Sequence, residues 1–195
     1  MAFVLASNNA GKLREFEQLF SKLGLEVLPQ AQFGVEDADE TGLSFIENAL
    51  IKARHASEKT NKPAMADDSG IVVPALDGAP GIYSARYSGK GDTANNEKLL
   101  QALDGVEGVA RNAFYVAVIA LVKHPNDPMP IIAEGRWHGR IAETPAGDGG
   151  FGYDPLFIPD GFDITAAQMT RDEKQSLSHR ALALNALAPQ LNDFL

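Results

Sequence analysis

Ala2-Phe3-Val4-Leu5-Ala6-Ser7-Asn8-Asn9-Ala10-Gly11-Lys12 stands at the start of the chain, and its reading decides the fold. Ala2–Ala6 is short, continuous and apolar, as a buried strand is. Ser7 to Lys12 is turn chemistry, and behind it Leu13, Phe16, Leu19, Phe20 and Leu23 recur at helical spacing. Gly24 stops that helix, and Leu25–Leu28 reads as a second strand ended by Pro29. Strand, loop, helix and strand in this order favour an α/β fold.

The same signals continue outward. Ser44-x-x-Glu47 fits a capping box for a helix over Ser44–Ser57. Phe45, Ala49, Ala53 and Ala56 form its apolar face, and Lys52 falls only about 20° from Phe45, at the edge of that face. Pro63–Ala66 reads as a short strand ending in Asp67-Asp68-Ser69-Gly70, followed by Ile71-Val72-Val73. Pro74–Gly91 is long and irregular, and loops of that length are often functional. Asn95–Leu103 suggests a helix, while Ala113–Val122 and Ile131–Ile141 read as a long β pair. Leu156-Phe157-Ile158 is a further strand, and Leu177, Ala181, Leu184 and Ala188 make one stripe of a terminal helix. With no repeat, low-complexity tract or linker, residues 1–195 read as a single domain.

Composition narrows the function. The 195 residues carry 17 Lys+Arg against 26 Asp+Glu, a formal net charge of -9. That balance argues against an extended nucleic-acid or membrane-surface binder, which needs a basic footprint. It leaves room for an anionic ligand, because local charge can oppose the global sign. The absence of cysteine removes thiolate nucleophiles, iron–sulfur clusters and Cys-based zinc sites. The apolar start lacks a basic leader and no stretch approaches the ~20 residues of a membrane span. A cytoplasmic protein is the expectation.

Several patterns fail. Gly147-Asp148-Gly149-Gly150-Phe151-Gly152 matches G-x-G-x-x-G, but Thr144-Pro145 before it and Asp154-Pro155 after it exclude the strand and helix that a dinucleotide site requires. Gly11-Lys12 ends like a P-loop, yet Ala6 and Leu13 occupy the positions of its first glycine and its Ser/Thr. The four histidines, His55, His124, His138 and His179, are scattered singly.

What remains is a set of segments, each with two readings. Asp67-Asp68 at a strand end offers a Mg²⁺ ligand or general base, or else an Asx-type turn. Adjacent carboxylates in a strand point to opposite faces, so at most one serves a given site. Glu36-Asp37-Ala38-Asp39-Glu40 is a solvated loop before a helix, or part of a cation site. Ser7–Lys12 is a capped turn, or a phosphate cradle at a helix N-terminus. Lys52, bordering an apolar face, must snorkel or pair. Phe151-Gly152-Tyr153-Asp154 is a tight turn with core aromatics, or a base-stacking element with a carboxylate beside it. Lys174 and Ser178-His179-Arg180 are an exposed helix face, or a cationic cluster. Together they describe a Mg²⁺-dependent nucleotide site better than any other class.

Seven ordered blocks carry a family resemblance. They are Ser7-x-Asn9-x-x-Lys12, Glu40-Thr41-Gly42, Phe45-x-Glu47-Asn48-Ala49, Ala66-Asp67-Asp68-Ser69-Gly70, and Gly78-x-Pro80-Gly81-x-Tyr83-Ser84-Ala85-Arg86. Gly149-Gly150-Phe151-Gly152-Tyr153-Asp154-Pro155 and Lys174-x-x-x-Ser178-His179-Arg180 complete the set. In these blocks the chain resembles the inosine triphosphate pyrophosphatases, the Ham1-like hydrolases of deaminated purine nucleoside triphosphates. Ala181 stands where the family usually has glycine.

The resemblance implies an elongated, mixed, twisted β-sheet flanked by helices, the inosine triphosphatase-like (Maf/Ham1-type) α/β fold, and a homodimer. It implies hydrolysis of ITP, dITP and XTP to the monophosphate and pyrophosphate, with no nucleic-acid or membrane partner. Its substrate contacts fall on Ser7, Asn8, Asn9, Ala10, Gly11, Lys12, Lys52, Ser69, Phe151, Gly152, Tyr153, Asp154, Lys174, His179 and Arg180. Its magnesium carboxylates fall on Glu40 and Asp68, with Asp68 also the base. On that footing water attacks the α-phosphorus, Phe151 stacks on the purine, and Asp154 with His179 and Arg180 reads its edge. The alternatives are a Maf-like pyrophosphatase for modified pyrimidine nucleotides and a nucleotide sensor without turnover.

Overall fold

Phe3, Val4 and Leu5 are wholly buried in β1 (Ala2–Leu5), as their unbroken apolar run requires of a strand covered on both faces. β1 pairs in parallel with β2 (Glu26–Pro29) on one side and with β3 (Ala64–Val72) on the other, with Val4 opposite Ala64 and Leu5 opposite Met65. Between β1 and β2 the chain passes through helix α1 (Ala10–Ser21). The computed structural model describes residues 2–8, 10–21 and 24–193. Asn9 and Leu23 lie outside the described residues, as do the side chains of Ala10 and Leu19 and the surroundings of Gly11.

Among the described residues the sheet has six strands in the order β2-β1-β3-β4-β5-β6, with β4 at Asn112–Val122, β5 at Ile131–Ile141 and β6 at Phe157–Pro159. β5 and β6 are antiparallel, so the sheet is mixed. The remaining helices are α2 (Phe45–Thr60), α3 (Asp92–Ala102), α4 (Arg171–Leu177) and α5 (His179–Leu187). The α/β expectation therefore holds. No helix among the described residues is long and apolar enough to cross a membrane.

Two compact units divide the chain. The first comprises Met1–Asp68, Ala117–Glu134 and Ala183–Leu195; the second comprises Ser69–Val116 and Gly135–Leu182. Each has its own core. In the first, Phe3, Leu5, Phe16, Phe20, Met65, Ile119 and Leu187 pack together. In the second, Ile71, Leu99, Tyr115, Trp137, Leu156 and Phe157 do so.

Three local outcomes matter for function. Ser44 caps α2, its hydroxyl accepting from Glu47 N–H at 3.3 Å, while Glu47 reaches back to the Leu43 N–H at 2.9 Å. Asp67-Asp68-Ser69-Gly70 does not break the strand; it lies inside β3, which is continuous to Val72. The terminal helix is interrupted at Ser178, which takes an extended conformation and caps α5 through its hydroxyl, accepting from Ala181 N–H at 3.3 Å. Ala181 and Leu184 keep the predicted buried stripe, whereas Leu177, before the break, is exposed.

The turn between β4 and β5 is organised by Asp127, whose carboxylate accepts from the N–H groups of Lys123 at 2.8 Å and Met129 at 2.9 Å. Burial pushes its pKa up, but those two donors together with the nearby charges of His124 and Lys123 outweigh it and hold the carboxyl below its ordinary value. A depressed folded pKa stabilises above the unfolded value of about 3.9 and ceases to do so as pH falls through the folded one. Asp127→Ala is therefore expected to cost about 1–2 kcal/mol at pH 7. In urea denaturation the gap from wild type should close as pH drops below about 4.

Candidate active site

Asp67 and Asp68 are consecutive and buried in β3. Side chains alternate along a strand, and each of these carboxylates meets its own lysine. Asp67 accepts from Lys12 Nζ, in the first turn of α1, at 3.1 and 3.2 Å. Asp68 Oδ1 accepts from Lys52 Nζ at 2.9 Å, and the same ammonium donates to Glu40 Oε1 at 2.9 Å. Lys52 thus pairs rather than snorkels, and it ties α2, β3 and the acidic loop together.

Burial would lower the Lys52 pKa, but Asp68, Asp67 and Glu40 outweigh it and hold the ammonium above its ordinary value. For Asp68 burial wins over the attraction of Lys52, and the carboxyl is raised. Its Oδ2 is buried and has no hydrogen-bond partner among the described residues. A bare, buried carboxylate oxygen beside a second carboxylate has the donor chemistry of a hard-cation site. No three His, Asp or Glu side chains gather as a metal site among the described residues. A Mg²⁺ held here would complete its shell with waters and phosphate oxygens, as that ion ordinarily does.

Glu40 is set by its neighbours. Gly42 N–H donates to Asn48 Oδ1 at 2.8 Å. A Cβ on Gly42 would stand 2.6 Å from Glu47 Cβ and 2.7 Å from Asn48 Oδ1. Only glycine allows the Glu40-Thr41-Gly42 segment to lie this close to the first turn of α2. Asn8 is fixed in turn by Asp37, which accepts from Asn8 Nδ2 at 3.0 Å and from Gln30 Nε2 at 2.6 Å.

The second unit holds a parallel arrangement. Asp154 is buried, and its carboxylate accepts from Lys174 Nζ, from Phe151 N–H at 2.9 Å and from the Tyr115 hydroxyl at 3.4 Å. Tyr115 stacks on His179 with ring centres 4.8 Å apart and planes 10° from parallel. Burial, reinforced by Asp154, pushes the Tyr115 hydroxyl well above its ordinary pKa, so it remains a donor. Phe151 is 57% exposed, and Lys174 Nζ and Arg180 Cζ lie 4.7 Å and 5.5 Å from its ring centre. Arg180 Nη2 also donates to Ser69 Oγ at 3.2 Å. Tyr153 turns the other way, buried, and its hydroxyl donates to the Ser84 carbonyl at 2.7 Å.

The expected site residues accordingly fall into two groups: Ser7, Lys12, Glu40, Lys52 and Asp68 in the first unit, and Ser69, Phe151–Asp154, Lys174, His179 and Arg180 in the second. The sequence marks Asp67 and Asp37 only as members of the Asp67-Asp68 and Glu36–Glu40 segments, without assigning either a place in the site. Tyr115 is missed, because it sits in an apolar run that reads as core.

Residues 3–190 match the Ham1 family. The chain belongs to that family. A HAM1 protein of Coxiella burnetii has the same Ham1 fold, with a TM-score of 0.93 at 45% identity over 99% of both chains. The Staphylococcus aureus Ham1 protein gives 0.88 at 40% identity over the full length of both. A relative from Xanthomonas oryzae pv. oryzae, named dITP/XTP pyrophosphatase, is 55% identical over 97% of this chain and 96% of its own.

The Ham1 glycines near Phe151 separate by what they touch. Gly150 has a φ of +74°, and a Cβ there would overlap the Asp154 carboxylate; Gly152 has a φ of +61° and nothing within 4 Å. Gly150→Ala is expected to cost about 2–4 kcal/mol through strain plus overlap. Gly152→Ala should cost only about 1–2 kcal/mol for the left-handed backbone. Denaturation midpoints of the two variants measure the difference.

Proposed function

We propose that this chain hydrolyses dITP, XTP and ITP to the monophosphate and pyrophosphate, removing deaminated purines from the nucleotide pool. Membership of the Ham1 family and a 55% identical relative named dITP/XTP pyrophosphatase support the reading. The observation that carries it is the Lys52 ammonium shared by Glu40 and Asp68, with one Asp68 oxygen bare beside it.

Glu40 and Asp68 would hold Mg²⁺, which when bound supplies charge neutralisation and polarises the phosphoryl oxygens. Asp68, its pKa raised by burial, is suited to take the proton of the attacking water. The water oxygen bonds to the α-phosphorus, the bond to the bridging oxygen breaks, and pyrophosphate leaves with that electron pair. Lys52 and Lys12 offset negative charge as it develops. The phenyl face of Phe151 stacks on the purine. Lys174 and Arg180 donate to its 6-keto oxygen, which adenine replaces with an amino group that accepts nothing. Asp154, already accepting from three donors, serves by fixing Lys174 in place.

The test is turnover of ITP, dITP, XTP, GTP and dTTP with pyrophosphate and orthophosphate measured separately. Pyrophosphate from the first three, slow turnover of the others, loss with EDTA and recovery with Mg²⁺ are expected. Orthophosphate as first product, equal rates on GTP, or preference for the pyrimidine would overturn the proposal. Asp68→Asn should lower kcat by about 10²–10⁴-fold.

A further inference from the structure

Helix α3 carries none of the residues that the family resemblance implies, yet its first turn grips the Phe151–Asp154 segment on both sides of one residue. Gly152 N–H donates to Asp92 Oδ2 at 2.8 Å, and the Gly152 carbonyl accepts from Asn96 Nδ2 at 2.8 Å. Asn96 Nδ2 also donates to the Asp92 carbonyl at 2.8 Å, which ties the two side chains into one clamp. Nothing stands within 4 Å of where a Gly152 side chain would be. Its backbone is left-handed, φ +61°, and both of its hydrogen-bonding groups are taken by these two bonds.

The same turn of α3 holds the next residue as well. Asn95 Nδ2 donates to the Ser84 and Ala85 carbonyls at 3.4 and 3.2 Å, and its Oδ1 accepts from Ser88 N–H and Oγ at 2.7 Å. The Ser84 carbonyl also receives the Tyr153 hydroxyl. Residues 92, 95 and 96 lie on one helical face. That face fixes Gly152 directly and shares with Tyr153 the Ser84 carbonyl. Phe151 lies between Gly150 and Gly152, both at positive φ, and is itself exposed. Ordering such a residue on ligand binding costs about 1–2 kcal/mol of backbone freedom if nothing has ordered it beforehand.

We infer that Asp92 and Asn96 are positioning residues for purine recognition: they hold Gly152 so that Phe151 is presented already set for stacking. The inference rests on the purine triphosphate reading above. The hydrogen bonds of Asp92 and Asn96 go to Gly152 and to each other, and none goes to Asp68, Lys52 or Glu40. Their loss is expected to fall on binding rather than on the chemical step. Chemistry also differs between the two positions: residue 92 must accept and residue 96 must donate. Asp92→Asn keeps an acceptor oxygen, while Asn96→Asp sets a carboxylate against the Gly152 carbonyl.

Steady-state kinetics on dITP for wild type, Asp92→Ala, Asp92→Asn and Asn96→Asp test this, alongside amide hydrogen exchange of the 150–155 segment without substrate. Asp92→Ala and Asn96→Asp should raise KM roughly 3- to 10-fold with kcat within about twofold, and exchange at Gly152 should quicken in Asp92→Ala. Asp92→Asn should stay near wild type in both. Unchanged KM in Asp92→Ala and Asn96→Asp while the wild type turns over normally overturns this inference alone, as does an Asp92→Asn variant as impaired as Asp92→Ala. A wild-type protein that releases no pyrophosphate from dITP overturns the proposed function, and this inference with it.

Discussion

Two buried carboxylates in succession on an interior strand demand two separate cations. Removing an ionised carboxylate from water costs several kcal/mol unless a partner is close and well aligned. The two-residue alternation of a strand sends Asp67 and Asp68 to opposite faces, so one lysine cannot serve both. Lys12 from the first turn of α1 answers Asp67, and Lys52 from the edge of the α2 apolar face answers Asp68. Lys52 brings the acidic loop with it, since the same ammonium donates to Glu40 Oε1 and Asp68 Oδ1.

The second unit repeats the device with different parts. Asp154 is buried and Lys174 of α4 answers it, but the approach is made through a turn rather than a strand. A turn that folds a carboxylate back onto its own backbone needs glycine where the two meet, hence Gly150. The charge pattern of the molecule reads accordingly. A chain with net charge -9 places Lys12, Lys52, Lys174 and Arg180 on inward carboxylates, a serine and an aromatic face. Its acidic surplus belongs to other positions.

Where the decisive interaction is local, the sequence was legible. β5 begins and ends as expected, and buried and exposed residues alternate along it from Ala133 to Ile141. The Ser44-x-x-Glu47 cap and the borderline position of Lys52 were both readable from helical periodicity. Where the decisive partner is distant, composition misleads. Asp, Ser and Gly each favour turns, so Asp67-Asp68-Ser69-Gly70 reads as a break; pairing within the sheet keeps it extended. The apolar stripe through Leu177 and Ala181 gives no sign of the bend at Ser178, although a serine four residues after Lys174 is a competent helix cap. Asp92 and Asn96 look like ordinary polar residues of an exposed helix start, since their partner Gly152 lies far away in sequence.

The sharing of one cationic position by Glu40 and Asp68 is the claim from which the chemistry follows. A double-mutant cycle in kcat/KM for pyrophosphate release, with Glu40→Gln, Asp68→Asn and the combined variant at saturating Mg²⁺, measures it directly. Residues that act as a unit are strongly non-additive. The double variant should therefore be little worse than the more damaged single one. Losses that multiply would contradict a shared site.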